Sequence, residues 1–229
     1  MGTSIRKASY INAEVADVAK GGLVFPGKPG APSVVLMGDS NGSMYGKVMK
    51  EICTALGYKL DVISVAAGDP LPSSHDQQGR LWIDSLSVVQ KEKPEFLLLA
   101  CSWTTKLAGD TERLASAVKW LSPLVGEVLL LNQPPVLPAN ANRAAIRDGA
   151  RPPFLEDPGI NEQRQAMNAW LLTFTNGNTK VVDIASEFQG GQGEALFLDQ
   201  QGRQLYQDAG HLSGYGAERI KSLISAEIQ

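Results

Sequence analysis

Cysteine and histidine are both scarce, with two residues of each in the whole chain. Cys53 and Cys101 are too few for a disulfide scaffold and read as small buried hydrophobes. His75 and His211 lie far apart with no compact ligand motif, so neither a metal site nor a cofactor is implied. Long apolar runs are missing too: Phe96–Cys101 and Val128–Leu131 are far too short to span a bilayer, so no direct membrane insertion is expected. The opening residues MGTSIRKASYINAEV carry no secretory hydrophobic region, which suits a cytoplasmic protein as well as a domain of a longer exported one. Positive charge is not in excess. Against 24 Asp+Glu stand 21 Lys+Arg, a net −3, and no basic stripe offers nucleic acid a footprint. Neither G-x-x-x-x-G-K-[ST] nor G-x-G-x-x-G is present to cradle a nucleotide.

What remains is globular: 43% hydrophobic residues with 23 Gly and 13 Pro, in a chain of 229 residues that suits one large domain. The Gly/Pro-rich GGLVFPGKPGAP marks residues 1–29 as an N-terminal arm or linker, and 30–229 as the domain. Ser33–Met37 is a short apolar run. Met44, Val48, Ile52 and Leu56 then recur every four residues and Gly57 stops them, which predicts a strand, a tight turn and a helix. Leu60–Val65, Phe96–Ala100, Glu127–Leu131 and Thr179–Ile184 read as four more strands. Helices are predicted over Leu81–Val89, after an Asp110 cap, over Asn161–Phe174 and after Ser213. In the third of these, Arg164 shares a face with Ile160, Met167, Leu171 and Phe174, so its charged head is expected to reach out to water. Strands alternating with helices predict an α/β fold, a three-layer α/β/α sandwich around a five-stranded parallel sheet.

Chemistry enters at VVLMGDSNG, which places Ser40 just beyond the carboxyl edge of the first strand, where open α/β sheets bind ligands. A serine at a helix start lies beside unpaired backbone N–H groups that favour a developing oxyanion. The same residues also suit an ordinary helix cap. A serine hydroxyl needs a base, and His211 in YQDAGHLSGYG has Asp208 three residues before it, a spacing that lets the carboxylate face the imidazole. His75, beside Asp76, is the competing imidazole; its neighbours suit substrate contact better than an oriented pair.

Gly38-Asp39-Ser40 after the first strand, combined with Asp208-Ala209-Gly210-His211-Leu212-Ser213 before the last helix, resembles the SGNH/GDSL hydrolase superfamily. The run FLDQQGRQLYQD resembles one branch more closely, the SGNH domains fused to integral-membrane acyltransferases that O-acetylate bacterial envelope glycans. The resemblance implies a flavodoxin-like SGNH fold with Ser40 as nucleophile, His211 as general base and acid, and Asp208 orienting it. Gly68 in VAAGDP fits the family's second glycine, donating its N–H to the oxyanion together with that of Ser40. The family's oxyanion asparagine is missing: A100-C101-S102-W103 stands there instead, which makes Ser102 and Asn132 the substitute donors to consider. Asp39, Asn41, Trp103 and His75 are the candidate substrate contacts. The loops 69–82 and 134–158, with Trp82, Arg143, Arg147 and Arg151, would shape a cleft.

The activity so implied is serine-dependent O-acyl, chiefly O-acetyl, transfer or ester hydrolysis on an envelope carbohydrate. Its partners would be an acyl donor, a glycan acceptor and a fused or associated membrane acyltransferase, in the periplasm or otherwise outside the cytoplasm. A non-catalytic glycan-binding domain is the alternative from another class.

Overall fold

The structure is a computed structural model that describes residues 10–73, 79–138 and 151–229. The first described elements are the short helix α1 (Val15–Val18) and strand β1 (Leu23–Phe25). The repeating part begins with β2 (Ser33–Gly38), α2 (Ser40–Ser43), α3 (Gly46–Leu56) and β3 (Lys59–Val62). Next come α4 (Gly79–Glu92), β4 (Phe96–Ala100), α5 (Trp103–Lys106), α6 (Glu112–Leu121) and β5 (Glu127–Leu131). The last third holds β6 (Phe154–Leu155), α7 (Pro158–Leu171), β7 (Thr179–Val182), β8 (Glu194–Ala195), α8 (Gly214–Arg219) and α9 (Lys221–Glu227).

The main sheet runs β1-β3-β2-β4-β5-β7, with β6 and β8 forming a separate antiparallel pair. Five of the six strands are parallel; β1 is antiparallel to β3. Alternation along each buried strand feeds two cores. Val34, Leu36 and Leu98 pack toward α3, α8 and α9, while Val35, Met37, Leu97 and Leu99 face α4, α6 and α7. This is the three-layer sandwich that the alternating pattern predicts, with a sixth strand at its edge.

That strand comes from the segment whose composition suggests an arm. Gly21 and Gly22, at φ 113° and 83°, turn the chain into Leu23–Phe25, and the buried Ala13 and Val18 join the core under α4. Three apolar residues between glycines are too short a run to announce a strand; pairing with β3 supplies what the local pattern lacks. Helix ends follow their caps. Gly57 closes α3 in the left-handed conformation at φ 78°, and Ser213 accepts the N–H groups of Tyr215 and Gly216 to open α8. Thr111, rather than Asp110, stands at the start of α6. Both cysteines are buried, and burial pushes the Cys53 thiol up to about 12. No helix among the described residues is long and apolar enough to cross a membrane.

Arg164 departs from its expected course. Its side chain is 2% exposed and forms a bidentate pair with Glu156, which is fully buried, at distances of 2.7–3.1 Å. Glu156 also accepts the Val136 N–H at 2.7 Å, so the pair pins the chain leaving β5. The partner lies just ahead of the helix, outside its periodic pattern, which explains why a face read by spacing alone sends this guanidinium to water.

Two stability outcomes follow from this packing. An added Cβ at Gly38 would stand 2.0 Å from the Ala100 carbonyl oxygen, so Gly38→Ala must part β2 from β4. Overpacking of that kind should cost about 1–3 kcal/mol in denaturant unfolding; an unchanged midpoint would show that the strands separate freely. Arg164→Met strands the Glu156 carboxylate in the interior and should cost about 3–5 kcal/mol in urea unfolding. Parental stability in that variant would remove the pair from the account of the fold.

Candidate active site

β2 is buried among parallel neighbours and ends between β3 and β4, where the strand order changes direction and open sheets leave a crevice. Asp39 caps the turn beyond it. Its Oδ1 accepts the Asn41 N–H at 2.8 Å and its Oδ2 accepts the Ser102 N–H at 3.1 Å, tying the exit of β2 to that of β4. Burial raises the Asp39 pKa above the usual carboxylate value, while the two backbone N–H groups and Lys106 pull it down. Ser40 follows, half-buried, at the first position of α2. Its own N–H has no partner among the described residues.

The second half of the site arrives on the loop between Leu205 and Ser213. The Ser213 N–H donates to the Leu205 carbonyl and the Gln207 N–H to the His211 carbonyl, each at 2.8 Å, closing a tight reversal. Within it, Asp208 Oδ1 accepts the N–H groups of Gly210 and His211, both at 3.0 Å. The same carboxylate meets His211 Nδ1 at 2.8 and 3.0 Å. His211 Nε2 stands 2.9 Å from Ser40 Oγ. An ionised carboxylate only accepts, so Nδ1 carries the imidazole proton and the Nε2 lone pair faces the hydroxyl. Such an arrangement can withdraw the serine proton as Oγ attacks a carbonyl.

The loop is braced from below. The Leu137 N–H donates to the Ala209 carbonyl at 2.8 Å, and Tyr206 Oη donates to the Pro135 carbonyl at 2.9 Å. Met44 Sδ accepts the Leu212 N–H at 3.3 Å. Tyr10 presents its ring edgewise to the imidazole, with centroids 6.1 Å apart. Burial first, and the Asp208 charge second, raise the Tyr10 hydroxyl pKa above its ordinary value.

The remaining candidates fall elsewhere. Trp103 is fully buried and donates its indole N–H to the Leu131 carbonyl at 2.7 Å, so it supports the β4–β5 corner and forms no wall against substrate. Asp39 and Asn41 are buried as well and build the floor of the turn. Asn132 donates to Asp183 and accepts from the Ala185 N–H, which commits its amide to the exit of β7. Ser102 spends its N–H on Asp39 and its hydroxyl on Thr105. Gly68 donates its N–H to the Val65 carbonyl at 2.9 Å, closing a β-turn, and is not a free donor. His75, Arg143 and Arg147 lie outside the described residues. Trp82, on α4, is buried in the core.

Two residues near the site carry no local sequence signal. Ala67, third in the Val65–Gly68 turn, sits at φ 57° and its N–H has no partner among the described residues. Asn12, inside the supposed arm, accepts from both Ser43 and the Ala66 N–H. Among the described residues, no group of His, Cys, Asp or Glu side chains is placed to hold a metal ion.

Comparison with known proteins bears on the whole chain. A solved periplasmic domain of a lipopolysaccharide acetyltransferase from Salmonella ser. Paratyphi A is similar, with a TM-score of 0.67 at 14% identity over 88% of this chain and 85% of that one. A catalytic mutant of Axe2, an acetylxylan esterase from Geobacillus stearothermophilus, is similar with a TM-score of 0.51 at 15% identity, over 89% of this chain and 95% of that one. At these identities the likeness is one of fold. No curated protein sequence matches the chain. The family model described as "SGNH domain (fused to AT3 domains)" matches residues 10–226, beginning well before the first parallel strand and running into the last helix. With nearly its full length under that match, this chain belongs to the SGNH family whose domains are fused to AT3 domains.

Proposed function

We propose that this domain moves an O-acyl group, in the first instance acetyl, onto a carbohydrate of the bacterial cell envelope through an acyl-enzyme on Ser40, with hydrolysis as the competing outcome. The observation that carries the reading is the unbroken series Asp208, His211, Ser40, with contacts of 2.8 and 2.9 Å. The acetyltransferase and acetylxylan esterase among its structural neighbours support the acyl chemistry and the carbohydrate class. The family's fusion to AT3 domains supports a membrane acyltransferase as the partner that delivers the acyl group. A periplasmic neighbour supports the extracytoplasmic side as the place of reaction.

In this scheme His211 Nε2 takes the Ser40 proton as Oγ bonds to the ester carbonyl carbon. The oxygen that gains the electron pair is met by the Ser40 N–H and by the Ala67 N–H, the donor left open by the 65–68 turn. The tetrahedral species collapses, the leaving oxygen takes the proton from His211, and the acyl group stays on Ser40. A sugar hydroxyl then gives its proton to Nε2, attacks the acyl-enzyme and regenerates Ser40 Oγ–H. Water in the same place gives a carboxylic acid. Asp208 stabilises the imidazolium in both halves of the cycle.

Intact mass measured after treatment with a serine-directed organophosphonate should show one adduct, which disappears in Ser40→Ala. An adduct that survives that substitution would place the reactive nucleophile elsewhere. No adduct together with saturable glycan binding indifferent to the Ser40 hydroxyl would favour a binding domain. His211→Ala should lower turnover of an acetyl ester by about a thousandfold or more while leaving the unfolding curve near the parent's. Undiminished turnover would reject the imidazole as base.

A further inference from the structure

We infer that Asn12 is a positioning residue for this reaction: its side-chain carbonyl clamps together the two loops that present the nucleophile and the open backbone donor beside it. The inference rests on the acyl-transfer reading above and goes beyond it, because neither the fold nor the Asp-His-Ser arrangement calls for an asparagine at this place.

The two loops leave different strands. One follows β2 and carries Ser40; the other follows β3 and turns through Val65–Gly68. Pairing between them runs on past β3, with the Ile63 N–H on the Leu36 carbonyl at 2.9 Å and the Val65 N–H on the Gly38 carbonyl at 3.1 Å, and residues 11–13 take over beyond that point. Residues 11–13 are laid between the loops and bond to each in turn. The Ile11 N–H donates to the Ser43 carbonyl at 3.2 Å, and the Ala13 N–H donates to the Ser64 carbonyl at 2.9 Å. Between them, Asn12 Oδ1 accepts Ser43 Oγ–H at 2.9 Å and the Ala66 N–H at 2.5 Å. One oxygen therefore touches both sides of the crevice at once.

Space around this strip is cut to fit. An added Cβ at Gly46 would meet Ile11 Cβ at 2.6 Å, and one at Gly42 would meet Ser64 Oγ at 2.6 Å. The clamped turn is also one that needs holding. Ala67 is a non-glycine residue at φ 57°, a conformation that costs about 1 kcal/mol or more and persists where surroundings enforce it. The Ala66 N–H bonded to Asn12 fixes the Val65–Ala66 peptide plane, and the Gly68 N–H on the Val65 carbonyl closes the turn on the other side, so the Ala66–Ala67 plane that carries the Ala67 N–H is held between two anchored groups. Because Ser43 lies one turn of helix beyond Ser40, the same contact fixes α2 against that donor.

A positioning role predicts a loss in the chemical step with substrate affinity intact. In the full chain, Asn12→Ala should lower kcat for acetyl-ester turnover by about ten- to a hundredfold with KM within about twofold, as misplacement by an ångström commonly does. The rate of organophosphonate labelling at Ser40 should fall in parallel. Ser43→Ala removes the clamp's other end, so the double variant should be no slower than Asn12→Ala alone. If Asn12→Ala does not fold, Ser43→Ala alone should still show the kcat loss with KM retained.

Parental kcat and labelling in a folded Asn12→Ala, or in Ser43→Ala where Asn12→Ala fails to fold, would overturn the inference. So would losses that multiply in the double variant. Absence of both turnover and labelling in the unsubstituted chain would instead defeat the acyl-transfer reading on which it stands.

Discussion

The contact between Ser40 Oγ and His211 Nε2 joins residues 171 positions apart, and it cannot hold itself in place. Asp208 and His211 are 52% and 30% exposed, so their attraction is screened by water and adds little to stability. A hydroxyl to imidazole hydrogen bond contributes about 1 kcal/mol net. The geometry therefore has to be imposed by buried structure on both sides. On the serine side, the Asp39 carboxylate bridges the ends of β2 and β4. On the histidine side, the loop is held from Pro135, Leu137 and Met44, and the first two belong to a segment pinned by the buried Glu156–Arg164 pair. A charged pair deep in the interior thus serves a weak contact at the surface, through a chain of backbone hydrogen bonds.

The division between what can be read in the sequence and what cannot follows range of interaction. Ser40, Asp208 and His211 stand out because each lies in a short local signature: a glycine-turned strand end, and a carboxylate three residues from an imidazole before a serine-capped helix. The parallel strands stand out because burial on both faces makes them continuous apolar runs. Arg164, Trp103 and β1 do not, because each takes its meaning from a partner outside its own element. Glu156 turns an apparent surface guanidinium into a buried one. The Leu131 carbonyl gives Trp103 an interior hydrogen bond and removes it from the cleft. β3 makes a strand of three residues that composition assigns to a linker.

Gly68 illustrates a subtler limit. Its place in the family pattern points to the 65–68 loop, and the backbone decides which N–H within that loop is open. With the Gly68 N–H closing the turn onto Val65, the open donor belongs to Ala67, one residue earlier. Residue type cannot show this, since every residue but proline has an N–H and only the turn geometry distinguishes them.

The exit of β4 explains why this loop matters. Where the sequence resemblance implies an oxyanion asparagine, this chain has Ser102 and Trp103, both committed to structure: the Ser102 N–H to Asp39, the indole to the Leu131 carbonyl. That corner is closed. Loss of one such donor in a serine enzyme costs about 3–4 kcal/mol of transition-state stabilisation, so in the reaction proposed above the burden falls on the 65–68 turn. There an alanine is held in a left-handed conformation and an asparagine from an earlier stretch of chain braces the turn against the serine helix. A wall that carries more of the charge must be stiffer, because a donor displaced by a few tenths of an ångström loses the advantage of being aimed in advance. In the proposed reaction the bracing by residues 11–13 would be the physical counterpart of the asparagine that β4 does not provide.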